Sequence, residues 1–213
     1  FPYTTLFRSR AAFPENGTHP MPFHVMGREA VDVPMMSAKG KYGYYEDDAL
    51  QALEMDYKSG GLSMVVVLPR ERDGLAGFDL TPERLDACTK GLNQREVQVF
   101  FPRFTMEQSF SLAETLGAMG MPTAFTPRAD FTGMAEDGRL NISAVEHKTY
   151  IKVDEEGTEA AAATAVVMKR TSIEPGPQPP VFKADHPFVY LIRHKASGAI
   201  LFLGRLMEPS GEE

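Results

Sequence analysis

The chain has 213 residues, 43% of them apolar and 24% charged, with a formal net charge of −7. This is the composition of an ordinary globular protein, long enough to bury a sizeable core and too acidic for a generic nucleic-acid binder. No apolar run approaches the ~20 residues of a membrane-spanning helix, and the one cysteine, Cys88, excludes an internal disulfide framework while leaving the redox compartment open.

In chain order, Phe1 to Ala12 fit no periodicity and are read as a non-native or unmatched leader, with Phe1 to Arg10 excluded from fold reasoning. Glu29-Ala30-Val31-Asp32-Val33, Lys41-Tyr42-Gly43-Tyr44-Tyr45 and Leu53-Glu54-Met55-Asp56-Tyr57 read as half-exposed strands, and Glu46-Asp47-Asp48 as a solvated turn. The continuous apolar run Leu62 to Leu68, closed by Pro69, predicts a strand covered on both faces. Thr81 as cap, Pro82 at the first position and Glu83 in the first turn open a helix whose stripe is Leu85, Cys88 and Leu92, which makes Cys88 a core residue and not a reactive thiol.

Val97-Gln98-Val99-Phe100-Phe101 reads as another half-exposed strand. Ser109 is expected to open a second helix, with Leu112, Leu116 and Met119 on one face and Gly120-Met121-Pro122 as its stop. Thr149 to Asp154 alternate as a strand does. Phe188 to Ile192 and Ala199 to Leu203, joined by Arg193 to Gly198, predict a C-terminal hairpin within the core.

The most unusual segment follows the Thr149 strand. It runs Glu155-Glu156-Gly157-Thr158-Glu159-Ala160-Ala161-Ala162-Ala163-Thr164, then Lys169-Arg170-Thr171-Ser172, then a proline-rich exit from Pro175 to Pro180. Alanine has the best helix propensity, so the run alone would suit a surface helix or a linker. Its flanks point elsewhere. Small side chains between an acidic hinge and a proline-rich exit can be exposed in one state and slide between strands in another. Catalysis has little support: His19, His24, His147, His186 and His194 lack metal-ligand spacing, and nucleophile-elbow, phosphate-binding and dinucleotide glycine patterns are absent. The sequons at Asn16 and Asn141 matter only in a secretory eukaryotic setting.

Taken together, Phe23-His24-Val25, Val33-Pro34-Met35-Met36, Val66-Val67-Leu68-Pro69, Phe101-Pro102-Arg103-Phe104, Leu116 to Met121, Ala129 to Gly133, the hinge from Asp154, Phe182 to Phe188 and Phe202-Leu203-Gly204-Arg205 resemble the C-terminal half of a serpin. The resemblance is to an inhibitory type, bacterial or clade-B-like. It implies an α+β fold of mostly antiparallel sheets, three in the whole family fold, with a few helices and a reactive-centre loop protruding from about Gly157 to Pro180. Residues 13–213 would be the C-terminal part of a single serpin domain whose N-terminal half is missing.

The resemblance also implies a serine protease inhibitor and not an enzyme. It needs no cofactor or metal, and it acts as a suicide substrate through loop cleavage, acyl-enzyme trapping and strand insertion. The hinge would be Glu155 to Thr164. The scissile bond falls between Thr171 and Ser172 in the usual register, or between Arg170 and Thr171 in a register shorter by one; Arg170 beside Lys169 favours a trypsin-like target, whereas threonine suits an elastase-like one. Arg103 would pair with Glu155 as a surface ion pair controlling sheet opening, and His147 would be a shutter histidine bonded to neighbouring strands. The partner is then a serine protease, with no nucleic acid or membrane, and the full-length protein a monomer. The compartment stays open, extracellular being preferred to cytoplasmic. A non-inhibitory binding, carrier or chaperone protein is the alternative. Separately, without the missing strands the loop has no slot, so the chain by itself would lack inhibitory activity even if its parent inhibits.

Overall fold

The computed structural model describes residues 13–135, 140–155 and 178–209. The described chain divides into two compact units, one drawn from residues 13–104, 152–155 and 178–209, the other from 105–135 and 140–151.

The first unit is organised by its longest apolar runs. Strands β1 (His19–Phe23), β2 (Val31–Glu46), β3 (Leu50–Asp56), β4 (Leu62–Pro69), β5 (Asn93–Pro102), β8 (Val181–Lys183), β9 (Phe188–His194) and β10 (Ile200–Leu206) form one eight-stranded sheet. Its order is β10-β9-β4-β3-β2-β5-β8, with β1 also paired to β2. Every pairing is antiparallel except that of β8 with β5. Inside the sheet, β4 and β9 are covered on both faces, as continuous apolar strands must be.

Helix α1 (Pro82–Gly91) lies over one face, capped by the Thr81 hydroxyl that accepts from the Arg84 amide. Cys88 joins Leu50, Ala52, Val65, Val67, Leu75, Phe78, Val189 and Leu191 in that layer. Its burial pushes the thiol pKa up, and it lies in the core as the stripe predicted. An aromatic group of Phe101, Phe104, Phe188 and Tyr190 forms a second packed layer. The Glu46-Asp47-Asp48 turn is real: Asp47 Oδ1 accepts from the amides of Ala49 and Leu50, closing the β2–β3 connection.

Several expectations need correction. The two half-exposed strands near Val31 and Tyr42 are ends of the single strand β2, which changes partners along its length, pairing β1 over residues 31–35, β5 over 35–44 and β3 over 43–46. The Leu53 to Tyr57 segment is buried on both faces, not one. Its misleading polar residue, Glu54, accepts from Ser63 Oγ at 2.8 Å and Arg193 Nη2 at 2.7 Å, with Lys195 Nζ at 3.3 Å. Burial alone would raise the Glu54 pKa, but these donors hold it below the ordinary carboxylate range.

The C-terminal hairpin forms, but β10 is an edge strand and not core: Leu203 is 63% exposed, and Ile200 and Leu201 are also open. An apolar run marks a strand without revealing whether a neighbour covers its second side. On the covered side of β10, Gly204 lies opposite Tyr190, whose ring occupies the space of a side chain.

The second unit contains most of β6 (Phe104–Ser111) and β7 (Glu146–Val153), which pair as a two-stranded sheet; Phe104, Lys152 and Val153 already belong to the first unit. Along β7, Thr149, Ile151 and Val153 are half-buried while Tyr150 and Lys152 are exposed, the alternation read from the sequence. Ser109 does not open a helix. It lies in β6, and the backbone there is committed to strand pairing, with the Leu112 amide donating to Val145 O; α2 begins only at Ala113 and ends at Ala118. The stop at Gly120 holds, with φ at 111°.

A β-carbon on residue 204 would lie 2.4 Å from the Tyr190 ring. Gly204→Ala is therefore expected to destabilise the protein by about 1–3 kcal/mol in urea unfolding. An unchanged midpoint would mean that Tyr190 does not pack as described.

Candidate functional site

Strand β7 runs out at Val153, and two residues later the side chain of Glu155 turns into the protein, 6% exposed. Two elements distant in sequence receive it. Arg103 stands between β5 and β6, its backbone amide fixed to Pro34 O at 2.8 Å, and its Nη2 donates to Glu155 Oε2 at 2.5 Å. Thr18 precedes β1 and its hydroxyl donates to Glu155 Oε1. That hydroxyl is positioned by a 3-10 turn over Glu15–Gly17, where the Gly17 amide donates to Pro14 O at 2.8 Å and Gly17 O accepts from Ser37 Oγ at 3.0 Å.

Desolvation by itself would raise the pKa of Glu155. Hydrogen bonds from Thr18 and Arg103, together with the guanidinium charge, outweigh it and hold the carboxyl below its usual range. The pair expected between Arg103 and Glu155 is thus made, but it is not a surface pair: Arg103 is 40% exposed while the carboxylate is enclosed. Thr18 was missed. Its only sequence signal, Asn16-Gly17-Thr18, read as a glycosylation sequon and said nothing of a contact 137 residues away.

The other root of the segment lies on β8. The Gln98 amide donates to Pro180 O at 3.0 Å, and β8 then continues the sheet beside β5. Glu156, Gly157, Thr158, Glu159, Ala160 to Ala163 and Thr164 of the hinge, and Lys169, Arg170, Thr171 and Ser172 of the scissile region, lie outside the described residues. His147 is on β7 and exposed, and among the described residues no hydrogen bond reaches its ring. Among the described residues, no three histidine, cysteine, aspartate or glutamate side chains are placed to hold a metal ion.

Comparison with known proteins gives one consistent family. The sequence profile of Serpin (serine protease inhibitor) matches residues 8–209. A leukocyte elastase inhibitor of Sus scrofa is 42% identical over 207 residues, 92% of this chain and 54% of its own length. An uncharacterized serpin-like protein of Thermococcus kodakarensis is 39% identical over 204 residues, 95% of this chain and 46% of its own length. The crystal structure of uncleaved ovalbumin superposes with a TM-score of 0.80 at 30% identity, over 95% of this chain and 51% of that one. The chain spans about half the length of the relatives it matches.

Because the native pKa of Glu155 is depressed, its contribution to stability is present above the ordinary glutamate pKa of about 4.3 and is lost as pH falls through the lower native value. Thr18→Val is expected to cost about 1 kcal/mol at neutral pH. Arg103→Met, which leaves an enclosed carboxylate without its cation, is expected to cost about 2–3 kcal/mol. Both losses are expected to shrink in urea unfolding carried out under acid; losses independent of pH would refute the role given to the carboxylate.

Proposed function

This chain belongs to the serpin family, and from that premise we propose that it carries the bait of a serine protease inhibitor acting as a suicide substrate. The observation that carries the reading is the pair of roots around residues 156–177. One ends β7 with Glu155 locked by Arg103 and Thr18; the other enters the sheet through Pro180 and β8. Between them, from Thr158 to Thr164, the sequence is small and uncharged at alternate positions.

In the proposed mechanism the protease attacks a scissile carbonyl in the bait and forms an acyl-enzyme. The cut frees the hinge end, which enters a sheet as a new strand before water can hydrolyse the ester. About a dozen residues at a net ~1 kcal/mol per hydrogen bond supply on the order of ten kcal/mol. Insertion competes with deacylation at turnover rates of about 1 to 1000 per second. Side chains alternate across a strand, so Thr158, Ala160, Ala162 and Thr164 would face inward, and none of them brings a charge that must be buried. The Glu155 lock would hold the entry closed until then, and His147 on β7 would bond neighbouring strands in the complete sheet.

Arg170, with Lys169 beside it, supports a trypsin-like target, because such enzymes read a basic residue through a buried aspartate. Relatives named for inhibition of leukocyte elastase support the other register, with Thr171 before the cut. A serpin that binds without inhibiting is the alternative reading.

In the intact protein, incubation with trypsin is expected to give a denaturant-resistant complex and a released peptide beginning at Thr171. A peptide beginning at Ser172, obtained with elastase, would move the bond by one residue. Cleavage by both enzymes without any complex would favour the non-inhibitory alternative. Thr158→Arg is expected to abolish the complex while leaving cleavage intact, and an undiminished complex would refute the hinge argument.

A further inference from the structure

Strand β8 is poorly suited to hold a root in place. It has three residues, lies at the edge of the sheet, and makes the sheet's one parallel pairing, through Gln98↔Val181, Val99↔Phe182 and Phe100↔Lys183. The Phe182 ring is buried, which supplies attraction, but a ring in a pocket does not by itself fix backbone register.

The four residues that follow, Ala184 to Pro187, are all buried and carry a compact polar group. Asp185 and His186 have side chains 10% and 8% exposed. Asp185 Oδ1 lies 2.9 Å from His186 Nδ1, and Oδ2 lies 2.9 Å from Nζ of Lys183, on β8 itself. His186 Nε2 lies 2.8 Å from the carbonyl oxygen of Pro69, the last residue of β4. A carboxylate and a carbonyl both accept, so the imidazole is the donor between them, its tautomer deciding which ring nitrogen carries the hydrogen. The backbone completes the group: the Ala184 amide donates to Phe100 O at 3.0 Å, and the His24 amide to Asp185 O at 2.7 Å.

We propose that Asp185 and His186 are positioning residues that lock β8 onto the sheet, and with it the distal root of the bait. One carboxylate ties backwards to β8 through Lys183 and forwards, through the imidazole, to the end of a central strand. A buried pair of this kind adds little net stability over apolar packing, but losing one partner strands the other. Failure of the lock would therefore be local: β8 peels from β5 while β4 and β9 stay paired. Burial alone would raise the Asp185 pKa, yet its bonds from His186 and Lys183 bring it down to about 2. The lock does not depend on inhibition; only its consequence for the bait rests on that reading.

Site-resolved amide hydrogen exchange on this chain tests it without any protease. In Asp185→Asn, the amides of Gln98 and Ala184, which donate to Pro180 O and Phe100 O, are expected to exchange about ten- to a hundredfold faster, with the β4–β9 amides unchanged. Lys183→Met, at a half-exposed position, is expected to give the same local pattern at smaller amplitude, so the proposal can still be judged if the first variant fails to fold. Lys39→Met, which removes an exposed pair with Glu96 on the other side of β5, is expected to leave both amides unchanged. Unchanged exchange at Gln98 and Ala184 in Lys183→Met, or an equal rise in β4 and β9, would overturn the proposal. Loss of protease complex with normal exchange would count against the inhibitory reading alone.

Discussion

A carboxylate withdrawn from water has to be met by donors or by charge, and Glu155 is met by both. That requirement fixes the end of β7, because the two groups that satisfy it come from the turn before β1 and from the corner between β5 and β6. Neither donor is placed by chance. Arg103 is held through its own amide to Pro34, and Thr18 through the Gly17 carbonyl and Ser37. Whatever follows Glu155 therefore departs from a defined point.

The same solution recurs twice more in the first unit. Glu54 joins β3 to β4 and β9 through Ser63 and Arg193, and Asp185 joins β8 to the end of β4 through His186. Each acid is held below its ordinary pKa although burial pushes the other way. Each also connects segments far apart in the chain, 139 residues for Glu54 with Arg193 and 117 for His186 with Pro69. Apolar burial gives the sheet its bulk stability, being non-directional. The acids give direction, because a satisfied pair tolerates one register and a slipped one leaves charge unmatched.

What was legible in the sequence follows from this division. Runs and caps are local signals, so β4, β9, α1 and the Asp47 turn could be placed from a few neighbouring residues. Ser109 could not be. Its neighbours Leu112, Leu116 and Met119 have helical spacing, but β7 claims the backbone first. Leu203 looked like core because composition does not record whether an edge is covered. Of the candidate site, the Arg103–Glu155 pair came from family motifs, while its enclosure and the Thr18 contact needed coordinates. Asp185 and His186 lie in the Phe182–Phe188 motif without any role of their own there, since nothing in a seven-residue string points to Pro69.

In the proposed mechanism the segment after Glu155 becomes an interior strand and so releases stored free energy. The most direct measurement is thermal unfolding of the intact protein before and after a single proteolytic cut within residues 157–177. A large rise in the midpoint after the cut, with the new end protected from further digestion, is the result this account predicts. An unchanged midpoint with the cut segment still accessible would contradict it.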